Sequence, residues 1–230
     1  MLLPAALIPE RVTILAYGAL LSESSSRLTF PALSNFRLVR VSGWRRLFGM
    51  SHLFLASQGV ADPSRTLRLA ALSVEPAEGS SFIAAAYEVE LDDAQRASFL
   101  EREKGYEITR APFRELRTAD GVAGSDGTAG LGVICSASSD DKLPTELSVP
   151  ASLPHVWDWG RGSGLLPADV YLRHCLLAIG KIGGAAEHSF LHDTLLVDRT
   201  TTLASYLEGG VLEEVMAVQP PERMVARFGG

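Results

Sequence analysis

Cysteine is scarce in this 230-residue chain: only Cys135 and Cys175 occur, and neither belongs to a CxxC pair or a metal-ligand pattern. That excludes a disulfide framework and fits reduced thiols in a cytosol-like compartment. Basic runs are missing too. Lys and Arg total 21 against 27 Asp and Glu, a formal net charge of −6, so no general attraction to nucleic acid or anionic lipid is expected. Long apolar stretches are equally absent. The longest early one, Met1 to Pro9, has no positive leading region, runs at once into Glu10 and Arg11, and is too short to span a bilayer. These absences predict a cytoplasmic protein with neither a nucleic-acid nor a membrane partner. The GxSxG, P-loop and dinucleotide fingerprints do not occur. His188 and His192 have the i, i+4 spacing of a helical metal pair, but no glutamate follows His188 and no third ligand is evident, so a surface or packing role is expected and no metal. What is present is an ordinary globular composition, 47% apolar, at a length that buries roughly 70% of the unfolded surface without staples.

The first half reads mainly as strands. Val12 to Ala16 is a β-branched apolar run ending in Tyr17-Gly18, and further strands are predicted at Phe36–Trp44, Leu67–Val74 and Phe82–Val89, with Pro76 to Ser81 as a breaker. Asp92 with Gln95 three residues on forms a capping box that opens a helix running to Lys104, with Gly105 as the stop. A strand over Tyr106–Leu116, a surface turn over Thr118–Gly130 and a strand over Leu131–Cys135 follow. Residues 136–166 look irregular. The last third turns helical: Pro167 opens a helix that Gly180 closes, and shorter helices are expected near Glu187–Leu195 and Thr201–Leu207. Strands early and helices late indicate an α+β domain whose sheet is able to close on itself.

Two places carry chemical promise. At the end of the first strand, Gly18 opens a loop in which the N–H groups of Gly18, Ala19 and Leu20 can converge on a carboxylate or a developing oxyanion; the plainer alternative is a turn glycine followed by solvated serines. The second is the segment Phe99 to Tyr106. On a helical wheel Glu103 falls between Phe99 and Leu100 on the bulky apolar face, whereas Glu101 shares its side with Ala94, Ala97 and Ser98. A carboxylate on a buried face is either a general acid/base or half of a structural ion pair, with Arg45, Arg46 or Lys104 as the partner. Cys135 and Cys175 lie in apolar contexts and are expected to pack as small hydrophobes, so a thiol hydrolase is a poor third reading.

Taken together, Tyr17-Gly18-Ala19-Leu20 and, some 80 residues later, Arg102-Glu103-Lys104-Gly105-Tyr106 resemble the γ-glutamylcyclotransferase-like superfamily, with its YGSL-type loop and single catalytic glutamate. The form nearest to hand is the ChaC branch, which acts on glutathione. The stretch from Gly160 through Tyr171-Leu172 to Leu207 is similar to the later family pattern. The resemblance implies a single domain over 1–230: a small mixed β-barrel core, about 11–136, flanked by helices, with a C-terminal helical portion at about 160–210. It implies a lyase with no metal and no organic cofactor, converting a γ-glutamyl compound into 5-oxoproline and a free amine or peptide. Glu103 would be the catalytic base, and Tyr17, Gly18, Ala19, Leu20 and Tyr171 would bind the small-molecule substrate. Two departures, Ala19 in place of a small polar residue and an RExxGY segment shortened by one, motivate the alternative of a non-catalytic γ-glutamyl-compound binding module.

Overall fold

The computed structural model describes residues 8–116 and 127–229. Five strands close into a barrel. The first, β1 (Arg11–Ala16), lies antiparallel to β3 (Arg68–Glu90), which pairs with β2 (Ser34–Ser51); β2 pairs with β4 (Glu107–Glu115), β4 with β5 (Ala129–Ser136), and a parallel contact between Ile14 and Val133 returns the ring to β1. Two-residue strands β6 (Leu166–Pro167) and β7 (Thr194–Leu195) extend the sheet beside β3 and β2. Around it lie α1 (Glu23–Thr29), α2 (Leu53–Ser57), α3 (Asp93–Arg102), α4 (Asp169–Ile182), α5 (Gly184–His192), α6 (Leu203–Tyr206), α7 (Val211–Ala217) and α8 (Val225–Phe228). The α+β class expected from the sequence is the one observed.

Several boundaries differ from the expectation. Pro76 to Ser81 does not break the chain: β3 runs through it and stays alongside β2, with the register slipping between Ser42 and Trp44. β3 takes five steps from Pro76 to Ser81 where β2 takes two from Trp44 to Ser42, so the bulge lies in β3 with Pro76 at its edge, the setting in which a strand tolerates proline. β2 accordingly continues seven residues beyond Trp44. Pro167 sits in β6 rather than in a helix; Ala168 is the N-cap of α4, which passes through Gly180 to Ile182 before Gly183 ends it. The helix expected at Glu187–Leu195 is α5, three residues earlier at each end, because Thr194 and Leu195 pair with Arg46 and Leu47. Most of the turn expected over Thr118–Gly130 lies outside the described residues.

The barrel interior is apolar, with Phe48, Phe82, Leu72 and Ala84 to Ala86 almost wholly buried, each large side chain contributing about 1.5–3 kcal/mol. Arg46 is the exception. It is fully buried, donates to Thr194 Oγ1 at 2.7 Å and to the carbonyls of Ser189 and Ile83 at 3.0 and 3.1 Å, and lies against the rings of Phe190 and Phe82. Desolvation lowers its pKa to about 10, so it remains charged at neutral pH while tying α5 to the barrel. Among the described residues no helix is long and apolar enough to cross a membrane.

Candidate functional site

A cavity of about 390 Å³ opens at one end of the barrel, between the ends of β1, β2, β3 and β5 and the helices α1, α4 and α8. Residues from both sequence segments line it: Tyr17, Gly18, Ala19 and Leu20 from the loop, Glu103 and Tyr106 from the segment after α3, and Tyr171 from α4. His188 and His192, with ring centroids 4.3 Å apart, are exposed on α5 away from it, and no cluster of three metal-ligating side chains occurs among the described residues.

The loop folds as a single 3-10 turn, Ala19–Leu21, after Gly18. Its carbonyls are all engaged by protein. Leu21 N–H donates to Gly18 O at 2.9 Å, His174 Nε2 to Ala19 O at 3.4 Å and Ser26 Oγ to Leu20 O at 2.8 Å. The leading amides of such a turn have no intrahelical acceptor, and those of Ala19 and Leu20 belong to residues that line the cavity. Two of the serines that follow are structural, Ser22 capping α1 through Ser25 N–H and Ser26 being buried, whereas Ser24 is exposed as expected. The Tyr171 hydroxyl stands over the loop beside Gly18, close to the Ala19 backbone and the Cys175 thiol. Burial first, then the Cys175 thiol, push Tyr171 well above the usual phenol range, so it is a neutral donor. Tyr17 and Tyr106 are raised chiefly by burial as well; their hydroxyls donate to the Cys135 and Leu72 carbonyls.

Glu103 is the C-cap residue of α3, one position beyond the helix, and its side chain is 15% exposed. The capping box of Asp92 and Gln95 fixes the start of this helix, and Gly105 at φ +101° turns the chain out of it into β4. The ion-pair partner of Glu103 is Arg102, whose Nε stands 3.1 Å away, not Arg45, Arg46 or Lys104. Arg45 is taken by Glu75, Arg46 by the barrel core, and Lys104 by Glu101, which is 74% exposed as its place on the wheel predicts. Arg102 is itself anchored on Thr29 Oγ1 of α1.

Cys135 packs against the core as expected and, in addition, lies close enough to feel this carboxylate. Both residues line the cavity, and burial followed by the Glu103 charge drive the Cys135 side chain well above the ordinary thiol range. It is a protonated thiol and not a thiolate. Cys175, pushed to about 12 mainly by burial, is inert in the same sense.

Other functional neighbours carry no local sequence signal. Trp157, from the irregular segment, donates Nε1 to Gly105 O at 2.8 Å and stacks edge-on against Tyr106 at 5.2 Å. Asp140 Oδ1 accepts from the Val156 and Trp157 amides and so holds that buttress in place. His52 of β2's end packs edge-on to Tyr171 at 4.9 Å and is kept neutral, its pKa lowered to about 3 by desolvation and by the Arg227 charge. Arg227 of α8 lines the cavity mouth, 4.2 Å above the Phe54 ring.

The chain matches no family model and no curated protein. Solved structures similar to it include an uncharacterised protein from Homo sapiens (14% identity, TM-score 0.47, covering 93% of this chain and 91% of that one). A structure named γ-glutamyl cyclotransferase is similar at 13% identity and TM-score 0.46, covering 93% and 90%. A third, described as a γ-glutamyl cyclotransferase specific to glutathione from yeast, is similar at 12% identity and TM-score 0.41, covering 96% and 95%.

Proposed function

We propose that this chain is a γ-glutamylcyclotransferase-type lyase, which closes the ring of a γ-glutamyl compound to 5-oxoproline and releases the amine or peptide. The observation that carries the reading is that Glu103 is the only carboxylate lining the cavity among the described residues, on the same cavity wall system as the amides of Gly18, Ala19 and Leu20. A γ-glutamyl compound brings its own nucleophile. Its α-amino nitrogen reaches its own γ-carbonyl carbon in a five-membered ring, so the protein has to orient the chain and manage protons. In this reading Glu103 takes a proton from the α-ammonium, the freed nitrogen forms a bond to the γ-carbon, and the developing oxyanion faces the loop amides and the Tyr171 hydroxyl. The γ-carbon to leaving-nitrogen bond then breaks as Glu103 returns the proton to that nitrogen, and the second proton of the ring nitrogen passes through Glu103 to the released amine, which departs as an ammonium. Arg102 holds the carboxylate oriented between the transfers, with the Cys135 thiol beside it.

The alternative, a binding module of the same fold that has lost turnover, is favoured by Ala19 and by the direct Arg102 contact that keeps Glu103 engaged. Incubation with glutathione, γ-glutamyl amino acids and γ-glutamyl amines, with 5-oxoproline as the readout, separates the two. Product from any of them supports the lyase; calorimetric binding with no product supports the module.

A further inference from the structure

The cavity does not end at Glu103. Beyond it a shallower outer space of about 470 Å³ continues, which shares Leu28, Leu53, Phe54, Arg102 and Arg227 with the inner cavity and adds Glu101 at its rim. None of the loop residues Tyr17 to Leu20 reaches it, nor does Tyr171. Whatever occupies the outer space is therefore a different part of a ligand from the part the loop amides hold.

The charges of this outer space do not balance. Arg102 is paired with Glu103 at 3.1 Å, and Glu101 on the same rim is paired with Lys104 at 3.2 Å. Arg227 makes no ion pair among the described residues. Its guanidinium is nevertheless held: the plane lies over Phe54 at 4.2 Å, and the next residue, Phe228, is 1% exposed and packs edge-on against His52 and His174 at 5.8 Å each. A stacked guanidinium has its face covered and its N–H edge available, which is the arrangement that takes a carboxylate in a forked pair. Partial burial first, and then the nearby Arg102 charge, lower the Arg227 pKa, a cost that a bound anion would relieve.

We propose that Arg227, with Arg102 beside it, binds the carboxylate of the leaving group, so that the substrates of this site are γ-glutamyl amino acids and γ-glutamyl peptides rather than γ-glutamyl amines. The inference rests on the cyclotransferase reading for the identity of the inner half of the ligand. The apolar walls of Leu28, Leu53 and Phe54 then face the side chain of the released residue.

The test compares γ-glutamylalanine and γ-glutamylalanylglycine with γ-glutamylethylamine, which lacks the carboxylate. With the wild-type chain both acids should exceed the amine in kcat/KM by about tenfold, the size of one lost charged contact. Arg227→Gln should erase that advantage chiefly through the KM of the acids, with a much smaller change for the amine, and Arg227→Lys should restore part of it. Equal use of acid and amine by the wild type, or an equal loss for both in Arg227→Gln, overturns the proposal. Calorimetric binding of the same three compounds to Glu103→Gln separates the two levels of the argument. If no compound yields 5-oxoproline but the acids still bind more tightly than the amine and lose that preference in Glu103→Gln/Arg227→Gln, the cyclotransferase reading fails and the Arg227 assignment stands. Absence of binding by all three overturns both.

Discussion

The Tyr171 hydroxyl stands 2.5 Å from where a Cβ on Gly18 would lie, so the glycine of the loop and the tyrosine of α4 are a matched pair. The need for glycine here is one of space, set by a residue 153 positions further along the chain. Gly18→Ala should push the hydroxyl off the Ala19 backbone and cost about 1–3 kcal/mol, as overpacking does. Tyr171→Phe removes the clashing oxygen. In a double-mutant cycle followed by urea denaturation, the pair Gly18→Ala/Tyr171→Phe should therefore be more stable than the sum of the single changes predicts. Strict additivity would show that the two residues do not meet.

Glu103 and Glu101 are two positions apart and differ in what surrounds them: one is 15% exposed in the cavity, the other 74% exposed beside Lys104. Glu103→Gln keeps the shape of the side chain and removes its ability to carry a proton, so 5-oxoproline formation should fall by about 10²-fold or more. Glu101→Gln should stay within about twofold of the wild type, as surface changes usually do. Product formation by both purified variants, with their melting temperatures as a check on folding, decides it; equal losses would remove Glu103 from the role of base.

The parts of this site that were legible in the sequence are those set by neighbours in the chain. The Asp92 and Gln95 capping box, the Gly105 exit and the inward side of Glu103 all follow from spacing within one helix. Even there, Glu103 proves to be the cap rather than a helical residue, and its partner Arg102 is adjacent in sequence, a contact that a helical wheel does not show. What spacing could not reveal is the set of contacts made across the fold. Trp157 on the Gly105 carbonyl, Cys135 on Glu103, and Arg227 over Phe54 each join segments brought together only by barrel closure and the later helices. The breaker expected at Pro76 has the same origin, since a proline is tolerated in a strand at the edge of a bulge, and the bulge in β3 opposite Ser42 to Trp44 is a property of the pair.

His52 ties acid stability to the site. Its pKa falls from 6.5 to about 3 on folding, chiefly through burial and then through the Arg227 charge, and His174 shifts in the same direction through burial. Below its ordinary value the unfolded chain takes up a proton that the folded chain refuses, so stability declines as pH falls through that window and the loss is complete near the folded pKa. Each such histidine contributes a slope of at most about 1.4 kcal/mol per pH unit. His52→Asn retains a side chain able to cap α2 through the Leu55 amide and removes the titration. Urea denaturation at a series of pH values between the two limits should show a shallower decline for His52→Asn than for the wild type; parallel curves would mean that His52 is protonated in the folded protein.

Cys135 provides a probe of the Glu103 charge. A thiol reacts with iodoacetamide through its thiolate, and in the folded chain burial and the Glu103 carboxylate both hold Cys135 protonated, while burial does the same for Cys175. Alkylation of the native protein near neutral pH should therefore be much slower than that of the protein unfolded in guanidinium, where both cysteines become reactive. Glu103→Gln removes one of the two causes at Cys135 and leaves the burial of Cys175 untouched. Mass-spectrometric peptide mapping should then show faster alkylation at Cys135 alone, an effect that a general loosening of the fold would spread to Cys175 as well. Cys135→Ala completes the argument, because no step of the proposed ring closure forms a bond to sulfur: product formation should stay within a few-fold of the wild type, whereas a loss as large as that of Glu103→Gln would make the thiol part of the chemistry.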